Sequence, residues 1–185
     1  MGTALVFLRD LFIIYKEGGR AMTWLFGRRG ADGKALAWPL LAEGAKLVWG
    51  WETLPDIARS PRGKPYFPDA PERWFSLSHS GGLALCALSS DGPVGTDIER
   101  VRPRSPGLFV YALTAEEQGA CGGDWGEFYR LWTLKESWCK REDIPIYPPR
   151  KRPGTPPCPH GSFAGDGWRG AVCCSGSVPE GIVWL

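Results

Sequence analysis

Four short segments of this 185-residue chain carry residue types that can act together chemically. The first is Val94-Gly-Thr-Asp-Ile-Glu99. On an extended strand alternate side chains share a face, so Asp97 and Glu99 project together while Ile98 points away. Adjacent carboxylates repel unless a cation lies between them. Oxygen donors of this kind suit Mg2+, which takes one or two carboxylates together with waters and substrate phosphates. The competing reading is a solvated strand end with two ordinary surface acids.

The second segment is Phe128-Tyr-Arg-Leu-Trp-Thr-Leu-Lys-Glu-Ser-Trp-Cys-Lys140. Glu136 and Lys140 are four apart and share one face of a predicted helix, with Trp132 a turn earlier. A surface ion pair worth a few tenths of a kcal/mol explains that spacing equally well. The third segment, Phe75-Ser-Leu-Ser-His-Ser80, sets His79 between two serines at the entrance to Gly81-Gly82. Such a histidine can bond a phosphate, serve half of a Ser-His hydrolase, or simply shape a loop; no G-x-S-x-G elbow accompanies it. In the fourth, Arg62-Gly-Lys-Pro65, the following proline restricts the backbone of Lys64. That lysine is either a point charge for a phosphate or an ordinary turn residue.

The elements that must carry these groups follow from local pattern. Thr3–Leu8 reads as a strand, with Leu11–Tyr15 continuing it or forming a short helical turn. Gly27–Gly33 reads as a basic, glycine-bearing loop. Leu36, Leu40, Leu41 and Leu47 predict a helix over Leu36–Trp49, with Pro39 near its start. Trp74–Ser78 is a short strand entering the serine-histidine segment. Leu83–Leu88 is a continuous apolar run, as in a strand buried on both faces. Asp91-Gly-Pro93 links it to a strand over Val94–Glu99, most simply as an antiparallel hairpin. Thr114 and Asp124 each stand three residues before a glutamate and predict two helix starts, the second helix running from about Trp125 to Glu142. Seven prolines make 145–159 extended or irregular, and Ala171–Cys174 and Gly181–Leu185 are candidate terminal strands.

Bulk properties narrow the function. A net charge of +2 argues against a nucleic-acid partner, and no run approaches the roughly 20 apolar residues of a membrane span. The six cysteines form no C-x-x-C pair and only two histidines could assist them, so zinc is not expected. The first residues lack the order of a signal peptide, which predicts a cytoplasmic protein with reduced thiols.

Taken in order, G-K-P, F-S-L-S-H-S, V-G-T-D-I-E and F-Y-R-L-W-T-L-K-E-S-W-C-K resemble the 4'-phosphopantetheinyl transferases of the surfactin-synthetase-activating type. The resemblance spans about residues 55–141, with W-T-L-K-E-S its sharpest part. It implies an α+β fold of two similar lobes related by a pseudo-twofold axis, divided here into 1–93 and 94–185, working as one unit. It implies that Asp97, Glu99 and Glu136 bind Mg2+, that Lys140 acts in catalysis, and that Lys64, Ser78 and His79 touch coenzyme A. Glu117 falls where the family has a further glutamate linked to catalysis, and it is equally the N3 residue of the Thr114 capping box. Lys34, Arg28 and Arg29 are candidates for the 3'-phosphate of coenzyme A.

The implied reaction moves the phosphopantetheine arm of coenzyme A to a serine of an acyl or peptidyl carrier protein. The implied protein is a monomer with no nucleic-acid or membrane partner. A coenzyme A-binding member without transfer activity and a metal-dependent nuclease are the alternatives; no D-x-K or E-x-K follows the first acid. Three departures from the family pattern stand out. Ser76 replaces the usual asparagine, Arg141-Glu-Asp-Ile-Pro-Ile146 replaces a glycine-rich segment, and the N-terminal third is short without a dense basic patch.

Overall fold

The computed structural model describes residues 22–185. The strand expected over Thr3–Leu8 and the segment Leu11–Tyr15 lie outside the described residues. Among the described residues the architecture is mixed α+β, with two main sheets, largely antiparallel, and four α-helices.

The first sheet has the order β4-β5-β1-β9, from Trp74–Ser80, Leu83–Ser89, Thr23–Arg29 and Val183–Trp184. β1 and β4 both pair antiparallel with β5, and β9 joins β1 in parallel. Helix α1 (Gly33–Trp49) lies against this sheet. A small β2–β3 pair (Ala58–Arg59 and Pro65–Tyr66) turns around Gly63. The second sheet has the order β6-β8-β7, from Gly95–Arg100, Trp168–Cys173 and His160–Gly165. Helix α4 (Trp125–Glu142) packs on β6 and β8, preceded by the short α2 (Gly107–Ala112) and α3 (Ala115–Cys121).

Every residue of β5 is buried, as its apolar run predicts. Alternation then divides its side chains between two cores. Ala84, Cys86 and Leu88 face α1 with Phe26, Leu40, Leu41 and Phe67, while Leu83, Leu85 and Ala87 face Val94, Ile98, Trp168 and Val172. One strand thus supplies apolar surface to both layers.

Several local expectations change. Gly27–Gly33 is not a loop throughout, because Gly27, Arg28 and Arg29 pair with Leu85, Ala84 and Leu83. Helix α1 begins before Leu36: the Asp32 carboxylate accepts the Lys34 backbone N–H at 2.9 Å and starts it at Gly33. Pro39 therefore falls inside the helix rather than in its first turn. His79 and Ser80 belong to β4 rather than to the following loop. Strands β5 and β6 do not form a hairpin. Both edges of β5 are taken by β4 and β1, so β6 crosses to the other sheet and pairs with β8. Both cap assignments hold: Thr114 forms a reciprocal capping box with Glu117, and Asp124 caps α4.

The sheets meet where β4 runs beside β6. No backbone ladder joins these strands. The hydroxyls of Ser76, Ser78 and Ser80 accept the backbone N–H groups of Thr96, Ile98 and Arg100 at 3.0, 3.3 and 3.2 Å. On the other side of β6, α4 comes so close that a Cβ on Gly95 would overlap the Ser137 carbonyl and the Arg141 backbone nitrogen. Gly95→Ala should therefore destabilise the fold by about 2 kcal/mol or more through overpacking. Gly119→Ala, within α3 and in open space, should stabilise it by roughly 0.5–1 kcal/mol. Urea denaturation of both variants checks the contrast.

Candidate active site

Strand β6 and helix α4 face each other across the short contact at Gly95. Alternation sends Asp97 and Glu99 to the same side of β6, and α4 brings Glu136 and Lys140 to them. The Lys140 ammonium donates to Asp97 Oδ1 at 2.7 Å and to the Thr96 carbonyl at 3.2 Å. Its partner is thus Asp97, not the Glu136 suggested by helical spacing.

Two serines of β4 fix the acids from behind. Ser78 Oγ donates to Asp97 Oδ1 at 2.7 Å, and Ser80 Oγ donates to Glu99 Oε2 at 2.6 Å. Each of these hydroxyls also receives a backbone N–H from β6, so its rotation is constrained from both ends. Asp97 Oδ1 accepts two donors, whereas its Oδ2 is buried without a partner.

The electrostatics follow from this crowding. Burial pushes the Glu136 carboxyl up to about 7, with Asp97 and Glu99 adding to the rise and Lys140 opposing it. Glu99 is also raised, first by burial and then by Asp97, against the Ser80 bond, Lys140 and Arg102. An orphaned buried oxygen beside acids that destabilise one another's charge fits a hard cation such as Mg2+. Among the described residues no three ligating side chains are drawn together closely enough to hold an ion as they stand. Asp97, Glu99 and Glu136 are the residues that would hold one, with Lys140 contributing fixed positive charge alongside.

A cavity of about 710 Å³ opens beside Lys140. Lys34, Arg59, Arg62, Lys64 and His79 line it. The Lys64 ammonium donates to the Val94 and Arg141 carbonyls at 3.3 and 3.0 Å. Burial lowers its pKa to about 8; Arg141 adds to the fall, while Asp143 and Glu142 oppose it. His79 faces the cavity, but Ser78 does not line it: neighbours on a strand point to opposite sides, and Ser78 is turned to Asp97. Arg28 pairs with Glu43, and Arg29 lies over the Trp184 ring at 4.5 Å. Of the three basic candidates for a phosphate, only Lys34 lines the cavity.

Glu117 lies elsewhere. Its carboxylate accepts the Thr114 backbone N–H at 2.9 Å and the Lys135 ammonium at 2.7 Å. Lys135 is wholly buried and also donates to the Ala112 carbonyl at 3.2 Å. Glu117 thus joins the capping function to the neutralisation of a core lysine, apart from the three acids. Sequence reasoning overlooked Lys135 and the bond from Ser80 to Glu99. The period-two recurrence of hydroxyls at 76, 78 and 80 was the available signal for the second.

Residues 93–146 match the model of the 4'-phosphopantetheinyl transferase superfamily. The chain is 37% identical over 132 residues to the 4'-phosphopantetheinyl transferase AcpT of Salmonella typhi, covering 68% of this chain and 60% of that protein. It is 39% identical over 85 residues to the 4'-phosphopantetheinyl transferase Sfp of Bacillus subtilis, covering 43% and 38%. A putative 4'-phosphopantetheinyl transferase of Synechocystis is 33% identical over 89 residues, covering 43% and 36%. The chain therefore spans three fifths or less of the length of these curated relatives.

Two measurements test the electrostatics. Glu117→Gln leaves Lys135 buried without its counter-charge and should cost about 3–5 kcal/mol. Adding Lys135→Met should recover much of that loss, giving a strongly non-additive cycle in urea denaturation. For Lys64, the unfolded chain holds a proton between about 8 and 10.5 that the folded chain has released. Its contribution to stability therefore rises with pH across that window. Lys64→Met should flatten the rise, as read from denaturation midpoints in a pH series.

Proposed function

We propose, from the superfamily to which residues 93–146 are related, that this chain transfers the 4'-phosphopantetheine arm of coenzyme A to a serine of an apo acyl or peptidyl carrier protein. The observation that carries this reading is the meeting of Asp97, Glu99, Glu136 and Lys140 beside a cavity lined by further cations. Carboxylates that call for a divalent cation, next to a basic cleft, match a pyrophosphate substrate better than a neutral one. The surfactin-synthetase-activating type and the pseudo-twofold pair of lobes, 1–93 and 94–185, belong to the same proposal. So do a cytoplasmic monomer and the absence of nucleic-acid or membrane partners. Among the described residues no helix is long and apolar enough to cross a membrane.

The step balances without an oxidant or further co-reactant. The serine oxygen of the carrier forms a bond to the β-phosphorus, and the bond from that phosphorus to the bridging oxygen breaks. The bridging oxygen leaves with 3',5'-ADP. Glu136 takes the serine proton as general base. Lys140 holds positive charge next to Asp97 and faces the developing charge of the leaving phosphate. Lys64, His79 and Lys34 bind the phosphates from the cavity wall, and Ser78 acts on the site through Asp97. When bound, Mg2+ supplies charge neutralisation to the pyrophosphate.

The deciding experiment combines the protein with coenzyme A, Mg2+ and apo carrier proteins from fatty-acid, polyketide and peptide synthesis, and measures the intact mass of each carrier. At least one should gain a phosphopantetheine arm, and Asp97→Ala should abolish the gain. Coenzyme A binding with no mass gain on any carrier would leave only the binding-protein alternative. Near-full Mg2+-dependent transfer by Asp97→Ala would refute the metal assignment.

A further inference from the structure

Trp38 is the one large aromatic side chain of α1 that is substantially solvent-exposed, at 40%. It lines the same cavity as Lys64 and His79. Phe75 meets it edge-on from the core side, with centroids 6.4 Å apart and planes at 66°. Lys34 stands one helical turn earlier on the same face of α1 and also lines the cavity. Side chains at this spacing are neighbours, their Cβ atoms about 5–6 Å apart. Leaving an indole this exposed forgoes the burial expected of so large an apolar group, yet the ring is backed by Phe75 and held beside a cationic cleft.

Resting on the transferase reading above, and on the 3'-phosphate role that the family resemblance already implies for Lys34, we propose that Trp38 is the stacking platform for the purine ring of coenzyme A. Coenzyme A has only one aromatic surface, its adenine. Its 3'-phosphate is carried by the ribose attached to that base. A π face and an ammonium on adjacent turns of one helix match this pair of groups. The pantetheine arm presents neither an aromatic face nor a phosphate of its own beyond the pyrophosphate, which the acids and Lys140 address. Stacking is tolerant of base identity, so the lysine supplies the discrimination for a phosphorylated ribose.

The test measures binding of coenzyme A, 3',5'-ADP and 4'-phosphopantetheine to the full chain by calorimetry, with wild type, Trp38→Ala and Trp38→Phe. Trp38→Ala should weaken coenzyme A and 3',5'-ADP by about tenfold each and leave 4'-phosphopantetheine unchanged. Trp38→Phe should restore most of the affinity. Tryptophan emission should be quenched by 3',5'-ADP in wild type and clearly less so in Trp38→Phe. Unchanged 3',5'-ADP affinity in Trp38→Ala, or a loss confined to 4'-phosphopantetheine, overturns the stacking assignment alone. A wild type that binds neither coenzyme A nor 3',5'-ADP overturns the transferase reading and this assignment with it. If Trp38→Ala fails to fold, undiminished quenching in Trp38→Phe is the result that overturns it.

Discussion

Three serine hydroxyls set the relation between the two halves of the site. A hydroxyl is among the smallest side-chain groups that both donates and accepts a hydrogen bond. Ser78 and Ser80 use both capacities at once, receiving an N–H from β6 and giving their own proton to an acid on β6. The atoms that join the sheets are therefore the atoms that aim the carboxylates. Bonds to charged acceptors contribute about 1.5–3 kcal/mol each, roughly twice the neutral kind. Any displacement of β4 along β6 would turn Asp97 and Glu99 together.

The opposite wall is built by exclusion of side-chain bulk. Gly95 allows the backbone of α4 to rest almost directly on β6, which puts Glu136 and Lys140 within reach of Asp97. The other side of α4 carries Lys135, whose buried charge is tolerated because Glu117 and two carbonyls surround it. One helix thus turns its charges to two different uses. One face serves the cleft, and the other anchors the helix against the α2–α3 segment and the turn at Pro149–Lys151.

Helix limits were legible wherever a cap fixed them. The span of α4 follows from Asp124 at one end, and α3 from the Thr114 box. Its counterpart α1 was read three residues short, because Asp32 lies just outside the apolar pattern. The partner of β6 could not be read, since Asp91-Gly-Pro93 suits a hairpin and only distant strands decide the pairing. The same limit kept spacing alone from joining Glu136 to Asp97 and Glu99, a link that only the family resemblance implies. Spacing linked Glu136 with Lys140, whereas the fold gives Lys140 to Asp97 from the neighbouring strand. Ser78 and His79, adjacent in one motif, were separated by strand parity, which a motif alone does not convey.

Strand β9 also bears on how the first sheet is bounded. Val183 and Trp184 pair with Phe26 and Gly27 of β1, and the Leu185 N–H donates to the Gly27 carbonyl at 2.9 Å. This contact joins segments far apart in sequence, so forming it carries the loop-closure entropy of a long intervening chain. In return it occupies backbone groups of β1 that would otherwise be an open sheet edge, the kind of edge on which another chain can add a strand.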